Sequence, residues 1–497
     1  MNVSKLNKKN IIFSIILITI FLISVFLTSL NYVTDEGALG DSYQYVTIAY
    51  NIVKYKSFSL EQKDQPNLEP TAFRTPVFPL YLAFVIATNP ELRQMSLEDL
   101  FTKGLKTIRY YQIPLIIIIS FLVMYMVHRL TKNHIFSYLA LFLTGSSISL
   151  LDGVRTIMSE NIAALLLLIV SILLYDIVDK KENIRYFTFI LLGIFSALVV
   201  LTKPTFQYLL ILILIVFIIL FFKNYFKNKK RVLISIFIFL IINLLIIGPW
   251  AYRNYKYFGN FFISNGGGGG ALLVRAEENL MNSKEFIASF FYFTPTEKNY
   301  TSFFYGGQNP LIHMFFNKGD VERLDWTNSD SYWIKGATLF GREVTKGNAS
   351  PEVVDKADKE MQSIGIKKIL SNPLKHLSYT LVAAWKGIFI EEGFDAKIVF
   401  FNIEIKNVFL ISFFYFTAFL LLIIYSIKKR FLKLVFFLLP SLYLYSFNSF
   451  LTIGALRFNM PMIPVMIVSI SLIVFIFKGK IFIKNKQIKP NIFNNSL

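Results

Sequence analysis

The sequence contains no cysteine and only four histidines among its 497 residues. Without cysteine the chain has no disulfides, cysteine nucleophiles or thiolate metal sites. The histidines show no metal-ligand spacing, so no histidine metal centre is predicted. They are His128, His134, His313 and His376. We predict no resident cofactor, although external acidic residues leave a divalent metal open.

Long apolar runs dominate the chain, which is 55% hydrophobic and contains 52 phenylalanines. Soluble domains rarely reach this composition. Several runs approach the ~20 apolar residues that cross a bilayer, and we predict an all-α polytopic membrane bundle of about ten transmembrane helices. The predicted spans lie near Ile11–Leu30, Tyr110–Leu130, Ile135–Leu151, Asn161–Ile177, Tyr186–Leu201, Thr205–Phe222, Val232–Pro249, Asn407–Ile427, Phe431–Phe450 and Pro461–Phe477.

Acidic residues are scarce beside basic ones, 31 against 51, which gives a net charge of +20. Nearly all of the excess falls on one face of the predicted bundle, in short loops and at both termini. The positive-inside rule places that face in the cytoplasm. We therefore predict a multi-pass plasma or inner membrane protein with both termini cytoplasmic, an uncleaved first span and no nucleic-acid partner. The bilayer itself, with its anionic lipids, accounts for the charge.

The sequence divides into three parts on this topology. Residues 1–250 form an N-terminal transmembrane bundle that includes a first external loop, 31–108, in which Pro76–Ala87 reads as an interfacial helix. Residues 251–406 form a second extracytoplasmic region, a small α/β or irregular one, with another interfacial helix near 374–390. Its glycine run, Gly266 to Gly270, reads as a flexible loop able to approach a ligand or as a linker. Residues 407–497 supply the last spans and a basic cytoplasmic tail.

Asp41 is the leading candidate for chemistry in the first external loop. Tyr45 and the apolar residues after it recur at helical spacing, so Asp41 starts a short amphipathic helix. One interpretation is an N-cap, where aspartate is favoured; the other is a general base at the membrane surface. Asp35 and Glu36 are the nearest rivals for that role.

A second group of charges, Asp152, Arg155 and Glu160, lies between the third and fourth predicted spans. A carboxylate at the end of a span is costly unless it is paired or functional. Glu160 heads the fourth span, so helix capping is the simple interpretation. The functional interpretation is a second catalytic acid near the acceptor.

Every predicted external turn between spans carries a basic residue. Snorkelling towards lipid headgroups explains each one singly. In a compact bundle, however, they could converge on one anionic headgroup, and arginine suits bidentate binding of a phosphate. These residues are Arg74, Arg155, Lys203, Arg253 and Arg457.

Several short motifs together resemble the integral-membrane glycosyltransferases of the C-type fold. The similarity is to the bacterial branch related to protein O-mannosyltransferases and the lipid A aminoarabinose transferase, and the most specific element is Pro-Trp…Arg-Asn…Phe-Gly. The motifs are Asp41…Tyr45, Arg74-Thr-Pro76, Leu201-Thr-Lys-Pro204, Pro249-Trp-Ala-Tyr-Arg253-Asn…Phe258-Gly259 and Arg457-Phe-Asn-Met-Pro461.

The resemblance implies a polyprenyl-phosphate sugar donor and transfer outside the cytoplasm. It implies that Asp41 is catalytic, that Arg74 contacts the donor phosphate and that Glu160 matches an acid of the second external loop. The family's frequent Asp-Glu pair reads Asp41-Ser42 here, with Asp35-Glu36 displaced upstream.

We therefore predict a hexosyl- or pentosyltransferase that inverts the sugar and whose acceptor is a lipid, a glycan or a protein hydroxyl. The alternatives are a flippase or transporter of lipid-linked sugars, whose charges are expected near the membrane midplane and in repeated halves, and a surface polysaccharide polymerase or ligase.

Overall fold

The computed structural model describes most of the chain. The described residues are 8–38, 40–63, 66–182, 185–265, 267–294, 316–317, 322–324, 331–332, 351–389, 395–398, 403–406, 409–452 and 456–485. Most of the predicted irregular region after Thr294, including His313, and the basic tail after Asn485 lie outside them.

Helices make up nearly all of the described structure. In chain order they are α1 (Lys8–Leu30), α2 (Ser42–Tyr55), α3 (Val77–Thr88), α4 (Pro90–Gln94), α5 (Leu97–Asp99), α6 (Leu105–Tyr110), α7 (Ile113–Thr131), α8 (His134–Gly145), α9 (Ile148–Thr156), α10 (Glu160–Asp179), α11 (Tyr186–Val200), α12 (Gln207–Phe222), α13 (Lys229–Phe258), α14 (Gly268–Glu277), α15 (Ser283–Tyr292), α16 (Pro351–Ser371), α17 (Pro373–Lys386), α18 (Phe409–Lys428), α19 (Leu432–Leu451), α20 (Leu456–Asn459) and α21 (Ile463–Asn485). A π-helical turn, Leu100–Gly104, joins α5 to α6, and short 3₁₀ turns occur at Pro204–Phe206, Glu278–Leu280, Glu322–Leu324 and Met460–Met462. Two short strands, β1 (Asp395–Ile398) and β2 (Ile403–Lys406), pair antiparallel with Asp395 opposite Lys406.

The predicted all-α membrane class is confirmed. Within the described residues, 9 helical stretches are long and apolar enough to cross a membrane, and they coincide with nine of the ten predicted spans. The remaining predicted span, Tyr186–Leu201, corresponds to α11, which has 15 residues. At ~1.5 Å per residue this helix is too short for a full crossing. The nine are Ile12–Leu30, Leu97–Thr131, His134–Thr156, Glu160–Asp179, Pro204–Phe222, Lys229–Phe258, Leu410–Lys428, Leu432–Leu451 and Arg457–Gly479.

Two predicted spans differ in detail from the observed helices. The weak third span is two helices, α8 and α9, and Ser147 between them caps α9 by accepting a hydrogen bond from the backbone N–H of Leu150. The seventh span does not stop at Pro249, because α13 continues through it to Phe258. The proline removes one N–H from the helix but leaves the chain helical, so Arg253 lies on a helix and not in a loop.

Helix α10 forms the centre of the bundle, with contacts to α7, α11 and α19. Most of its residues are buried, whereas α1, α12 and α13 leave broad apolar faces exposed. Those faces suit contact with lipid, since lipid tails are as apolar as the side chains. Glu160 is the first residue of α10 and therefore belongs to the most buried of the nine long helical stretches.

The predicted first external loop, residues 31–108, is held against the end of α13. Arg253 donates hydrogen bonds to the carbonyls of Thr71, at 2.7 Å, and Phe58, at 3.3 Å. Its guanidinium also lies 4.9 Å from the ring centroid of Trp250. Beyond α13, the backbone N–H of Asn265 donates to the Ala72 carbonyl. The Pro-Trp…Arg-Asn element therefore positions the part of the loop that precedes Arg74.

Most of the glycine run is helical and not the flexible loop or linker expected from the sequence; Gly266 lies outside the described residues. Gly268 to Gly270 form the first turn of α14. The N–H of Gly269 donates to the side chain of Asp358 at 2.9 Å, and a β-carbon at Gly269 would lie 2.0 Å from the Asp358 carbonyl oxygen. The glycines therefore permit a backbone contact between α14 and α16 that a side chain would prevent.

A buried arginine and histidine join α14 and α17 to the end of α19. Arg275 is fully buried and donates to the carbonyls of Ser449 and His376. The ring of His376 contacts Asn279 through Nδ1, at 3.0 Å, and the Phe450 carbonyl through Nε2, at 2.9 Å. A neutral ring with its proton on Nε2 satisfies both contacts, donating to the carbonyl and accepting from the amide.

We expect His376 to make the protein less stable in acid. Burial, with a smaller effect from the nearby Arg275 charge, lowers the pKa of His376 to about 4. In acid, His376 therefore binds a proton in the unfolded chain more readily than in the folded protein. The free energy of unfolding falls as the pH drops below about 6.5, the ordinary pKa of histidine. Between pH 7.5 and pH 5 the loss is on the order of 1 to 2 kcal/mol.

Thermal unfolding in detergent at these two pH values tests this expectation. His376→Gln keeps hydrogen-bonding groups but cannot titrate, so its melting temperature should fall less on acidification than that of the unsubstituted protein. Equal falls in both proteins would show that His376 does not carry the effect.

Candidate active site

Asp41 lies at the start of α2 and bridges two arginines. Its Oδ1 is 2.7 Å from Nη2 of Arg74, and its Oδ2 is 2.9 Å from Nη2 of Arg457. Asp41 occupies the N-cap position of α2, as predicted, but its side chain makes no capping hydrogen bond. The helix begins there without using the carboxylate, which leaves both oxygens to the guanidinium groups.

The backbone around Arg74 holds its guanidinium at this position. The hydroxyl of Thr75 donates to the Thr202 carbonyl at 2.8 Å, and the N–H of Val77 donates to the Leu201 carbonyl at 3.1 Å. Nε of Arg74 donates to the side-chain oxygen of Gln44 at 2.6 Å. The segment before α3 is therefore fixed against the turn that carries Lys203, and Arg74 is clamped onto α2.

Arg457 comes from the opposite end of the sequence. It lies on the single turn α20, which Asn448 fastens to α19 by donating to the Phe458 carbonyl at 3.0 Å and to Asn459 at 2.8 Å. Nη1 of Arg457 lies 3.2 Å from the sulfur of Met158. The structure therefore brings together Asp41 and Arg457, which are 416 positions apart.

Glu160 and Lys203 form a second ion pair at the same site. Nζ of Lys203 lies 2.9 Å from Oε1 of Glu160, and only 6% of the Glu160 side chain is exposed. Lys203 lies 5.7 Å and Arg457 5.4 Å from the ring centroid of Phe458. The phenyl ring thus joins the two ion pairs into one cluster, which we call the anion site: Asp41, Arg74, Glu160, Lys203 and Arg457.

The anion site has three cations and two carboxylates. Burial alone would raise the pKa of Asp41, but Arg74 and then Arg457 outweigh it and hold that pKa below its usual range. Asp41 is therefore ionised and, while paired, a weak base. The two guanidinium groups, each with several donors in a plane, are suited to bind a phosphate bidentately.

Tyr45 lines the anion site without entering an ion pair. Its ring lies 5.0 Å from the guanidinium carbon of Arg74. Its hydroxyl is 3.4 Å from that of Ser159, the residue before Glu160. This contact joins α2 to the start of α10 and helps to align the two carboxylates.

The remaining acidic candidates have other partners. Asp35 pairs with Lys106 at 3.0 Å, and Glu36 pairs with Arg155 at 3.2 Å. Arg155 also pairs with Asp152, at 2.7 Å. These four predicted residues and Lys106 therefore form a separate charged group beside the anion site.

Arg109 holds that neighbouring group in place, and the sequence did not single it out. It is fully buried and donates to the carbonyls of Thr34, Glu36 and Arg155. Its position in the sequence could have revealed it, because Arg109 directly precedes the predicted second span, where a charge needs buried partners.

The structure thus supports part of the predicted convergence of basic residues. Arg74 and Arg457 share Asp41, and Lys203 joins them through Phe458. Arg155 and Arg253 bind other groups, as described above. Among the described residues no group of three histidine, aspartate or glutamate side chains is arranged to hold a metal ion.

Comparison with known proteins gives a partial family match. Residues 94–262 match the family model described as dolichyl-phosphate-mannose-protein mannosyltransferase. Glu160, Lys203 and Arg253 fall inside that segment, and Asp41, Arg74 and Arg457 fall outside it. No curated protein matches the chain closely enough to count as a relative.

Two solved structures of archaeal oligosaccharyltransferases are similar over most of the chain. Oligosaccharyltransferase AglB from Archaeoglobus fulgidus, in complex with an inhibitory peptide and a dolichol-phosphate, is 13% identical with a TM-score of 0.44, over 95% of this chain and 52% of that one. The Archaeoglobus fulgidus oligosaccharyltransferase in complex with zinc and sulfate is 16% identical with a TM-score of 0.46, over 94% of this chain and 50% of that one. This chain thus spans about half the length of these proteins.

The family match falls where the Pro-Trp…Arg-Asn element and Glu160 lie. Over residues 94–262, about a third of the chain, the predicted resemblance to the protein O-mannosyltransferase branch of the C-type membrane glycosyltransferases is confirmed.

Proposed function

We propose that this protein is a membrane glycosyltransferase that moves a sugar from a polyprenyl-phosphate donor to a hydroxyl group of an extracytoplasmic lipid, glycan or protein. The observation that carries this proposal is the position of Asp41 between Arg74 and Arg457, beside the Glu160–Lys203 pair. A carboxylate next to half-buried cationic donors provides both a proton acceptor and a phosphate site. The family match supports a lipid phosphate as the anion.

The donor phosphate takes the place of the Asp41 carboxylate on the two arginines. Phosphate presents more charge and more acceptor oxygens than a carboxylate, so it competes well for both guanidinium groups. Once the phosphate binds the two arginines, their attraction for Asp41, which lowers the pKa of Asp41, is largely neutralised. Asp41 then becomes a better base at the moment when the donor is bound.

The transfer itself follows as a single displacement with inversion. The acceptor oxygen forms a bond to the anomeric carbon while the bond from that carbon to the phosphate oxygen breaks. Asp41 takes the hydroxyl proton, and the phosphate leaves with the bonding electrons. Arg74, Arg457 and Lys203 stabilise the charge that develops on the leaving phosphate.

Glu160 is the second proposed catalytic carboxylate. Its pairing with Lys203 gives it a further role, since it holds the ammonium group near Phe458 and Arg457. Arg253 is assigned to the support of the loop instead of direct phosphate binding, because its guanidinium donates to the carbonyls of that loop.

The position of the anion site favours an enzyme over a transporter. Glu160 is the first residue of α10 and Asp179 the last, about 30 Å apart at ~1.5 Å per residue. A transporter is expected to place such charges near the middle of the membrane. Here they lie at a helix end.

We predict that Asp41→Asn lowers turnover about 10²–10⁴-fold, the usual cost of losing a general base. The measurement is mass spectrometry of surface glycans, glycolipids and glycoproteins in a deletion strain that carries each variant at equal expression. The unsubstituted gene should restore the missing sugar, and Asp41→Asn should not.

Asp35→Asn is the matched control for this experiment. It removes the same charge from the same loop, but Asp35 is exposed and bound to Lys106. It should restore the sugar as the unsubstituted gene does. Restoration by Asp41→Asn to the same level would remove Asp41 from the mechanism.

We also propose that the anion site faces the outside and the opposite end of α10 the cytoplasm. At that opposite end Asp179 pairs with Arg129 at 3.3 Å and with Lys433 at 2.9 Å, among many further positive charges of the short loops. The positive-inside rule supports this orientation. Both termini then lie in the cytoplasm.

Single cysteines introduced into this cysteine-free chain test the orientation. Lys63→Cys lies on the side of Asp41, and Lys223→Cys lies at the cytoplasmic end of α12; both positions are exposed. A membrane-impermeant maleimide added to intact cells should label position 63 alone, and both positions after lysis. Labelling of position 223 alone in intact cells would reverse the topology.

A further inference from the structure

Helix α17 is apolar on the side that faces away from the protein. Leu374, Leu377 and Leu381 recur at helical spacing and are 77%, 59% and 60% exposed. Residues three and four apart lie on the same side of a helix, so these leucines and the exposed Ser378 form one surface. We call this surface the leucine face. The opposite side of α17 is buried through His376, Tyr379, Val382 and Ala383.

The one polar side chain of the leucine face is satisfied within the helix. The hydroxyl of Ser378 donates to the carbonyl of Leu374, one turn earlier, at 3.0 Å. It therefore needs no hydrogen bond from water. A single exposed leucine is ordinary on a protein surface, whereas a continuous apolar face marks contact with a membrane or with another protein.

The preceding helix, α16, has the surface of a helix in water. Its exposed residues include Lys359, Glu360 and Gln362, which are of the charged and polar types expected there. Exposed apolar residues increase towards its end, at Ile366 and Leu370. Helix α17 follows after a single residue, so the exposed surface changes from charged to apolar between two adjoining helices.

Contacts with α19 place α17 at the depth of a membrane-spanning helix. Near the start of α17 the ring of His376 contacts the Phe450 carbonyl at 2.9 Å. Near its end the Ala384 carbonyl accepts a hydrogen bond from the hydroxyl of Tyr445 at 2.7 Å. Tyr445 lies about 9 Å inside the end of α19 at Leu451, at ~1.5 Å per residue. Helix α17 therefore runs beside the last turns of α19 and not beyond them.

Those last turns of α19 lie within one leaflet of the membrane. The helix has 20 residues and is about 30 Å long, the thickness of the hydrocarbon core. Its final ~9 Å is therefore less than the ~15 Å of a single leaflet. Phe450 is itself exposed there. The leucine face lies beside this lipid-facing end of α19.

We propose that α17 is embedded sideways in the leaflet on the side of the anion site, with its leucine face against the lipid acyl chains. Acyl chains are as apolar as leucine and offer no hydrogen bonds, which suits a face whose polar group is already satisfied. Helix α17 contains no acidic residue, so no charge of its own opposes contact with lipid phosphates.

The embedded helix also fixes the depth of Arg457. The carbonyl of Gly387, directly after α17, accepts a hydrogen bond from Asn459 at 3.1 Å. A β-carbon at Gly387 would lie 2.6 Å from the Asn459 side chain, so the glycine permits this contact. Asn459 and Arg457 belong to the same single turn, α20. Embedding requires only the membrane fold, and it holds whether or not the anion site transfers a sugar.

Fluorophores on single cysteines test the embedding in the full-length protein, which has no cysteine of its own. An NBD label is attached to Leu377→Cys or Leu381→Cys, and the protein is reconstituted in phosphatidylcholine vesicles with or without lipids that carry a nitroxide on an acyl chain. At both positions the emission should shift to shorter wavelength and should be quenched by the nitroxide lipids. Aqueous iodide should quench it little.

Two further positions provide matched controls. Leu244→Cys, exposed in the middle of α13, is the lipid control, and Ser363→Cys, exposed on α16, is the water control. Labels at positions 377 and 381 should behave like the label at 244, whereas iodide alone should quench the label at 363. Ser378→Cys repeats the measurement on the leucine face without removing a leucine, and should give the same result.

Two results would overturn the proposal. Iodide quenching on the leucine face equal to that at position 363 would place the face in water. Protection from both iodide and the nitroxide lipids would show that protein covers it, either another segment of this chain or a second copy.

Discussion

The bridge from Asp41 to Arg74 and Arg457 is the interaction on which the site depends. It joins the first external loop to the last transmembrane segments, so it can form only when the whole bundle is assembled. Each arginine needs the carboxylate to offset the cost of its own partial burial. In the proposed function, the same guanidinium groups bind the donor phosphate. One contact thus stabilises the resting site and marks where the substrate anion is expected.

Much of the surrounding structure serves to hold those three side chains. Thr75 and Val77 fix the chain after Arg74 to the turn after α11, and Arg253 fixes the chain before it to α13. Asn448 fixes the short helix that carries Arg457 to α19. The Glu160–Lys203 pair completes the anion site at the start of α10, the most buried helix. In this arrangement Asp41 and Arg74 lie just outside helices, and the contacts with the bundle hold them in place.

The sequence predicted the elements of the fold far better than the contacts of the site. Periodicity and length were enough for α2, α3 and most spans, because a helix is determined by local pattern. Local rules failed where tertiary contacts prevail: α13 passes through Pro249, and the glycine run begins a close-packed helix. The residue types of the site were also recognisable, since arginines near span ends and acids beside them are few.

Their partners could not be read from the sequence. Asp41 fitted an N-cap as well as a general base, and only the fold shows that Arg457 reaches it while Arg253 does not. Such assignments depend on which distant segments meet, and that is determined by the packing of the whole chain.

The central claim is that one pair of arginines binds either Asp41 or the donor phosphate. Its most direct test is the dissociation constant of a short-chain polyprenyl phosphate for four purified variants. Arg74→Ala and Arg457→Ala should each weaken binding about tenfold or more, and Asp41→Asn should strengthen it because the competing carboxylate is gone. Arg155→Ala should leave it unchanged, because Arg155 pairs with Glu36 and Asp152 and not with a residue of the anion site. Equal affinities in all four variants would contradict the account.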